Sequence, residues 1–297
     1  MKKENLIKIR RKYGNLVEFA TRQGLYRVQF LRRLNKKIHL IFKKSSDKFK
    51  KSKVKIGNNV LFLDEDDSLG LSLNQNYEPT HTKLIKENVR KGNIVLDIGA
   101  NIGIFTLLFA ELVGSKGKVY AFEPDPTTFN ILKKNVEVNG YKNVILINKA
   151  VSNKKGKVKL FLCENNNGNH KVYDSKENRK FIEVDCIKLD DYFKDYKGKI
   201  NFIKMDIEGS EPSVINGSLK ILSKNNLKML TEFGSLLIEH SGYSYKQYLN
   251  DLFNVGFKVY DIEDNMKNIN TENANDLFDR VNPSNGRGTN LFCAKPI

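Results

Sequence analysis

Residues 94–113 read IVLDIGANIGIFTLLFAELV. The apolar run ends at Asp97, the chain turns through Gly99, Asn101 and Gly103, and apolar residues then recur at helical spacing. A strand that feeds a helix through so short a glycine turn opens a strand–helix–strand unit, which commits the chain to a parallel sheet. The alternation continues downstream. Strand-like runs at 94–97, 118–122, 143–147, 200–205 and 227–232 are separated by helical patterns at 103–113, 126–139 and 211–223, with a hairpin-like region near 157–186. Crossovers of this length place helices on both faces of the sheet. GFKVYDIED and TNLFCAK supply two more strands suited to an antiparallel edge. Upstream, VKIGNNVLFLDEDD reads as a hairpin and PTHTKLIKENVRKG as a helix.

The expected fold class is therefore α/β: a Rossmann-like, doubly wound, mostly parallel sheet of seven strands. An N-terminal helical extension precedes it. The net charge is +17, and residues 1–55 hold 19 of the 51 basic residues but only 3 of the 34 acidic ones. Within that segment Leu6, Ile9, Tyr13, Leu16 and Ala20, then Leu31, Leu34, Ile38 and Ile41, recur at three- and four-residue steps. Two basic amphipathic helices, 3–22 and 25–43, are predicted, followed by the linker KKSSDKFKKSK. Three roles for them stand open: a cap packed on the catalytic domain, an anchor for an anionic membrane surface, or a nucleic-acid grip. The expected division is 1–55 for the basic extension and 56–297 for the catalytic domain.

No apolar run reaches membrane-spanning length and no signal-peptide pattern opens the chain, so the expected location is cytoplasmic, with peripheral contact at the inner membrane face as one option. Cys163, Cys186 and Cys293 are far apart and are expected as reduced, packed thiols. The four histidines have no metal-ligand spacing, and no metal is expected.

In a doubly wound sheet, ligands bind beyond the carboxyl ends of the strands, which is where the Asp97–Gly103 turn lies. Gly99 permits a sharp bend, Gly103 close packing, and the helix start is expected to offer backbone N–H donors. A dinucleotide site uses G-x-G-x-x-G around a pyrophosphate. Here the pattern is D-x-G-x-N-x-G, and an anion at Asp97 would repel a diphosphate and favour a cationic amino group. The next strand ends at Glu123, whose carboxylate can accept both bonds of a ribose diol. S-adenosylmethionine suits this set; a dinucleotide, or glycines with a purely structural role, are the alternatives.

VLDIGANIGIFTLLFA, VYAFEPDPTTFNILKKNVEVNG, INKAVSN and INFIKMDIEGSEPSVINGSLKIL together resemble the FkbM-type methyltransferases of the class I S-adenosylmethionine-dependent fold. The resemblance covers about residues 77–295, and the DIEGSE element is its most specific part. It implies that Asp97, Gly99, Ala100, Asn101 and Gly103 form the cofactor loop, that Glu123 binds ribose and that Asn148 contacts adenine. Glu78 would close over the methionine end. It also implies an S-adenosylmethionine-dependent O-methyltransferase acting on a hydroxyl of a carbohydrate, glycolipid or related natural product, with a small-molecule or glycan acceptor.

Methyl transfer needs an aligned acceptor relieved of its proton. Asp206, Glu208 and Glu211 cluster just past the fourth strand, and Asp206 is the preferred base or positioning group, with Glu208 in support. Gly209 permits the exit into a helix expected to be capped by Ser210; that Glu208 and Glu211 serve the helix N-terminus through its dipole is the alternative reading. Glu232 ends the fifth strand on the same edge, and His81 is the alternative base. There is no Asn/Asp-Pro-Pro-aromatic turn and no cysteine beside the fourth strand, which counts against methylation of a nucleic-acid base. An RNA-directed methyltransferase, and a non-catalytic cofactor-binding module tethered to membrane or RNA, are the competing readings.

Overall fold

The computed structural model describes residues 50–163, 169–174, 178–224, 226–283 and 288–295, together with Ile9, Lys12 and Tyr13. Apart from those three residues, the two predicted basic helices lie outside the described ones. The first described elements are the antiparallel strands β1 (Lys53–Ile56) and β2 (Asn59–Phe62). β1 begins inside the segment expected to be extension, so the folded unit starts before residue 56. Among the described residues β2 has no further strand to pair with, and asparagines of the helix Pro126–Val138 and its cap take that place. Asn135 Oδ1 accepts from Phe62 N (2.6 Å) and its Nδ2 donates to Phe62 O (3.0 Å), while Asn139 does the same for Val60. Side-chain amides thus satisfy an exposed strand edge.

The strands β3 (Ile94–Ile98), β4 (Lys118–Phe122) and β5 (Val144–Ile147) are parallel neighbours. A separate three-stranded sheet follows, built from β6 (Ala150–Val151), β7 (Gly156–Phe161) and β8 (Phe181–Ile187) in the order β6-β8-β7. The chain returns as β9 (Phe202–Met205) and β10 (Lys228–Gly234), then closes with β11 (Lys258–Asp261), β12 (Lys267–Ile269) and β13 (Gly288–Ala294). The main sheet has the order β12-β11-β13-β10-β9-β3-β4-β5, parallel from β10 to β5 and antiparallel across β13, β11 and β12. It has eight described strands rather than seven. The extra one, β12, is three residues of KNI folded back on β11, too short and too polar for an alternation to be read.

Both faces are buried, as the apolar runs required. Val95, Val119, Phe202 and Leu230 pack with Phe105 and Phe109 of the helix Ile104–Val113 on one side. Leu96, Tyr120, Ile203 and Met229 face the other core. The segment expected as one helix over 211–223 is two, Glu211–Asn216 and Leu219–Lys224. The break falls at Gly217, where a Cβ would lie 2.3 Å from the backbone oxygen of Ser152. Among the described residues no helix is long and apolar enough to cross a membrane. The strand order reverses between β3 and β9, and the carboxyl ends of these two strands flank the principal cavity.

Candidate active site

A cavity of about 310 Å³ opens at that edge, lined among others by Glu78, Gly99, Ala100, Asn101, Glu123, Asp206, Glu208 and Glu232. The glycine loop is wedged against β9. Gly99 has φ +78°, and a Cβ there would lie 2.0 Å from the backbone oxygen of Asp206; at Gly103, φ +98°, it would lie 2.6 Å from Leu132 Cδ1. Within the turn itself the amides are engaged. Gly99 N and Ala100 N both donate to Phe122 O, Asn101 N to Glu123 Oε2, Ile102 N to Asn101 Oδ1 and Gly103 N to Ala100 O. Five consecutive amides of the turn are committed internally, and the helix that follows begins without a side-chain cap.

Glu123 is almost fully buried, with Oε1 accepting from Asp125 N and Oε2 from Asn101 N, both at 2.9 Å. Burial pushes its pKa up to about 7, and the two backbone bonds oppose the rise. A carboxylate has about four lone-pair directions, so two remain for a ligand. Asn148 is not on the cavity wall. Its Nδ2 donates to Glu123 O (2.8 Å) and Pro124 O (3.1 Å), so it shapes the Glu123 segment, and Lys149, Ala150 and Val151 form the wall in its place.

Asp97 also lies behind the wall. It is fully buried, Oδ2 accepts from Thr106 Oγ1 at 2.6 Å, and Oδ1 is buried without a hydrogen-bond partner. Burial raises its pKa, opposed by the charge of Lys204. Lys204, which the sequence reading passed over, is 5% exposed, lines the cavity and reaches Asp206 Oδ2 at 3.3 Å. Its ammonium stands 5.1 Å from the centroid of the Phe105 ring. Burial, the largest influence, favours the neutral amine, but Asp206, Asp97 and Glu78 together outweigh it and raise the pKa. The expected bracket of two anions around the ligand is therefore a bracket with a lysine set into it. The available signal was a single lysine inside the otherwise apolar strand FIKM, a charge that burial obliges to be paired.

Past β9 the chain bends through Glu208 (φ +56°) and Gly209 (φ +97°), where a Cβ would meet the carbonyl carbon of Leu237 at 2.5 Å. The strained conformation keeps Glu208 in the cavity wall. Burial, then the charge of Asp206, lifts its pKa to about 7. Ser210 makes no capping bond; Glu211 instead ties the loop, its Oε1 accepting from Ile207 N at 2.9 Å, and burial lifts its pKa to about 8. Glu211 is fully buried and does not line the cavity.

Glu232 lines the cavity with a buried, unpartnered Oε2 and is raised well above the carboxylate range by burial, then by Asp206. Its partner across β10 and β13 is Asn290, a second wall residue absent from the expected set. His81 does not reach the cavity: its Nδ1 lies 2.6 Å from Glu78 Oε2, and it orients that carboxylate. Glu78 itself, in left-handed backbone (φ +40°), lines the cavity. His170 is a further unexpected wall residue, its Nδ1 accepting from Cys163 N.

The sequence profile of the methyltransferase FkbM domain matches residues 97–259, more than half of the chain. The chain belongs to this family. Methyltransferase sdnD of Sordaria araneosa is 25% identical over 161 residues, 44% of this chain and 62% of that protein. The hexuronic acid methyltransferase AglP of Haloferax volcanii is 30% identical over 146 residues, 48% of this chain and 57% of that protein. The chain spans about three fifths of the length of the curated relatives it matches. A solved FkbM methyltransferase from Methylobacillus flagellatus, 18% identical, aligns with 77% of this chain and 56% of that one at a TM-score of 0.40.

S-adenosylmethionine is the cofactor of the FkbM domain, and the cavity fits it. A half-used carboxylate stands at Glu123, apolar Phe122, Val151 and Leu160 line the wall beside it, and carboxylates stand at Glu78 and Asp206. An ammonium, a ribose and an adenine meet complementary groups in this set.

Proposed function

We propose that the chain is an S-adenosylmethionine-dependent O-methyltransferase whose acceptor is a hydroxyl of a carbohydrate, glycolipid or related natural product. The observation that carries this reading is the convergence of Asp206, Glu208 and Glu232 on the cavity into which Glu123 also opens. A sugar hydroxyl is a weak nucleophile that needs a proton acceptor, and carboxylates supply one. That the relative AglP is a hexuronic acid methyltransferase supports a carbohydrate acceptor.

When bound, S-adenosylmethionine supplies an electrophilic methyl and departs as a neutral thioether that needs no acid. Glu123 would accept hydrogen bonds from the ribose hydroxyls, with the Gly99–Asn101 backbone in the same wall. Glu78, held by His81, and Asp206 face the cationic amino-acid end. Asp206 would serve as the group that accepts the acceptor hydroxyl's proton. Glu208 and Glu232 orient the acceptor, and walls of buried apolar side chains keep bulk water from competing.

The test is transfer of labelled methyl from the cofactor into fractions of a cell extract. Label in glycolipid or glycan, lost in Asp206→Asn while cofactor binding persists, supports the reading. Label confined to protein or RNA refutes it.

A further inference from the structure

The strand β7 and the segment bridged to it give the cavity wall Leu160, His170 and Val172. Local register explains why these three act together. Phe161 and Lys171 form an isolated antiparallel bridge, Phe161 N donating to Lys171 O (2.7 Å) and Lys171 N to Phe161 O (3.1 Å). Side chains alternate along such a ribbon, so Leu160, His170 and Val172 share the face opposite to Phe161 and Lys171.

His170 differs from its two apolar neighbours in having a donor to place. Its Nδ1 accepts from Cys163 N at 3.0 Å, so the ring proton sits on Nε2. Burial, opposed by Asp125, lowers the pKa of the imidazole and favours this neutral form. Nε2 lies 3.9 Å from Asp125 Oδ2, too far for a hydrogen bond, and that oxygen already accepts from Thr128 N (2.8 Å) and Thr128 Oγ1 (2.7 Å). The side chain is only 10% exposed, and among the described residues Nε2–H has no hydrogen-bond acceptor. A donor so buried in a cavity wall is costly unless a ligand satisfies it. Asp125 N donates to Glu123 Oε1, so this donor borders the carboxylate that faces the ribose.

We infer that His170 is a cofactor-binding residue whose Nε2–H donates to a ring nitrogen of adenine, with Leu160 and Val172 packed on the base. The inference rests on the S-adenosylmethionine reading of the cavity. It fills the place left by Asn148, whose amide is spent on Glu123 O and Pro124 O. Adenine carries acceptors at N1, N3 and N7 and no charge, which suits a neutral donor in an apolar wall. A histidine that only fastened its segment to Asp125 would not read the base.

The probes are S-adenosylhomocysteine and three analogues in which N1, N3 or N7 is replaced by CH, each titrated calorimetrically into the full chain. One analogue should bind wild type about tenfold more weakly than the parent, the scale for a buried donor left unpaired. His170→Phe keeps a flat ring and changes no charge. It should bind the parent about tenfold more weakly and erase the penalty for that analogue, because both edits remove the same bond. Loss of the acceptor for Cys163 N affects parent and analogue alike, so it drops out of the comparison.

Equal affinity of wild type for the parent and all three analogues overturns the inference. So does a penalty that persists undiminished in His170→Phe, since another group would then read that nitrogen. If the variant does not fold, spectra of wild type carrying isotope-labelled histidine decide. The His170 Nε2 proton must be shifted by S-adenosylhomocysteine and not by the weakened analogue, and equal shifts refute the assignment. If the parent does not bind wild type, the cofactor reading fails; if it binds and no penalty depends on His170, this inference alone fails.

Discussion

Asp97 and Lys204 are register partners across the parallel strands β3 and β9, on the same face as Val95 and Phe202 one step earlier. A buried acid and a buried base thus stand where an apolar pair would continue the core, Asp97 two residues before Gly99 of the glycine loop and Lys204 four before Glu208. Desolvation makes such a pair expensive to break rather than strongly stabilising. Its value lies in what it presents: Asp97 neutralised behind the wall, and Lys204 turned toward Asp206. The crevice discriminates through that arrangement and through a turn whose own amides are engaged.

Gly99→Ala should be far worse than Gly103→Ala. Both positions have positive φ, so both substitutions carry backbone strain, but the neighbours differ. At Gly99 the new methyl meets the fixed backbone oxygen of Asp206, and at Gly103 the flexible end of Leu132. Gly99→Ala is expected to abolish S-adenosylhomocysteine binding in calorimetry and to cost more than about 3 kcal/mol in urea unfolding, beyond ordinary substitutions. Gly103→Ala should cost roughly 1–3 kcal/mol, the range for accommodated overpacking.

Glu123→Ala should weaken cofactor binding by roughly 2–3 kcal/mol, about 30- to 150-fold in Kd, the scale for hydrogen bonds to a charged group. It also unties Asn101 N and Asp125 N, so the circular-dichroism melt must accompany the calorimetry. A near-native melt with unchanged Kd would remove Glu123 from the site.

Much of this crevice could be read from residue order. Asp206, Glu208 and Glu123 follow strand ends, and Glu232, expected to end its strand, lies two residues inside the end of β10; the doubly wound topology fixes the edge they share. What escaped depended on side-chain partners that have no period. Asn148 and His81 have the residue types of a ligand contact, yet their polar atoms are consumed by the Glu123 backbone and by Glu78. Asn290 becomes a wall residue only because β13 pairs with β10 in a register that puts it opposite Glu232. Lys204 drew no reading inside its strand, because its register partner Asp97 is more than a hundred residues earlier in the chain.

Asn135→Leu tests the attachment of the N-terminal hairpin. Asn135 is fully buried and bonds Phe62 N, Phe62 O and Ile102 O, so an isosteric apolar side chain leaves three backbone groups without partners. Each such group costs about 1–3 kcal/mol unless water reaches it. The expected result is a clearly lowered unfolding midpoint with hydrogen exchange at Phe62 accelerated far more than at Val95 in β3. Equal acceleration at both would mean global rather than local loosening.

Stability should fall as pH rises from about 5 to about 8.5, the reverse of a protein whose carboxylates are salt-bridged. Glu211 is pushed up to about 8 and Glu123 and Glu208 to about 7, in each case chiefly by burial. Between the ordinary carboxylate range and those values the native state holds protons that the unfolded chain has released. The slope of unfolding free energy with pH is then negative, and the loss is complete only above the folded values. Glu211→Gln keeps an oxygen to accept from Ile207 N and removes the titration, so its urea midpoint should decline less across the same window. Parallel declines in wild type and Glu211→Gln would show that Glu211 is already ionised in the native protein, and that its buried Oε2 has found a donor.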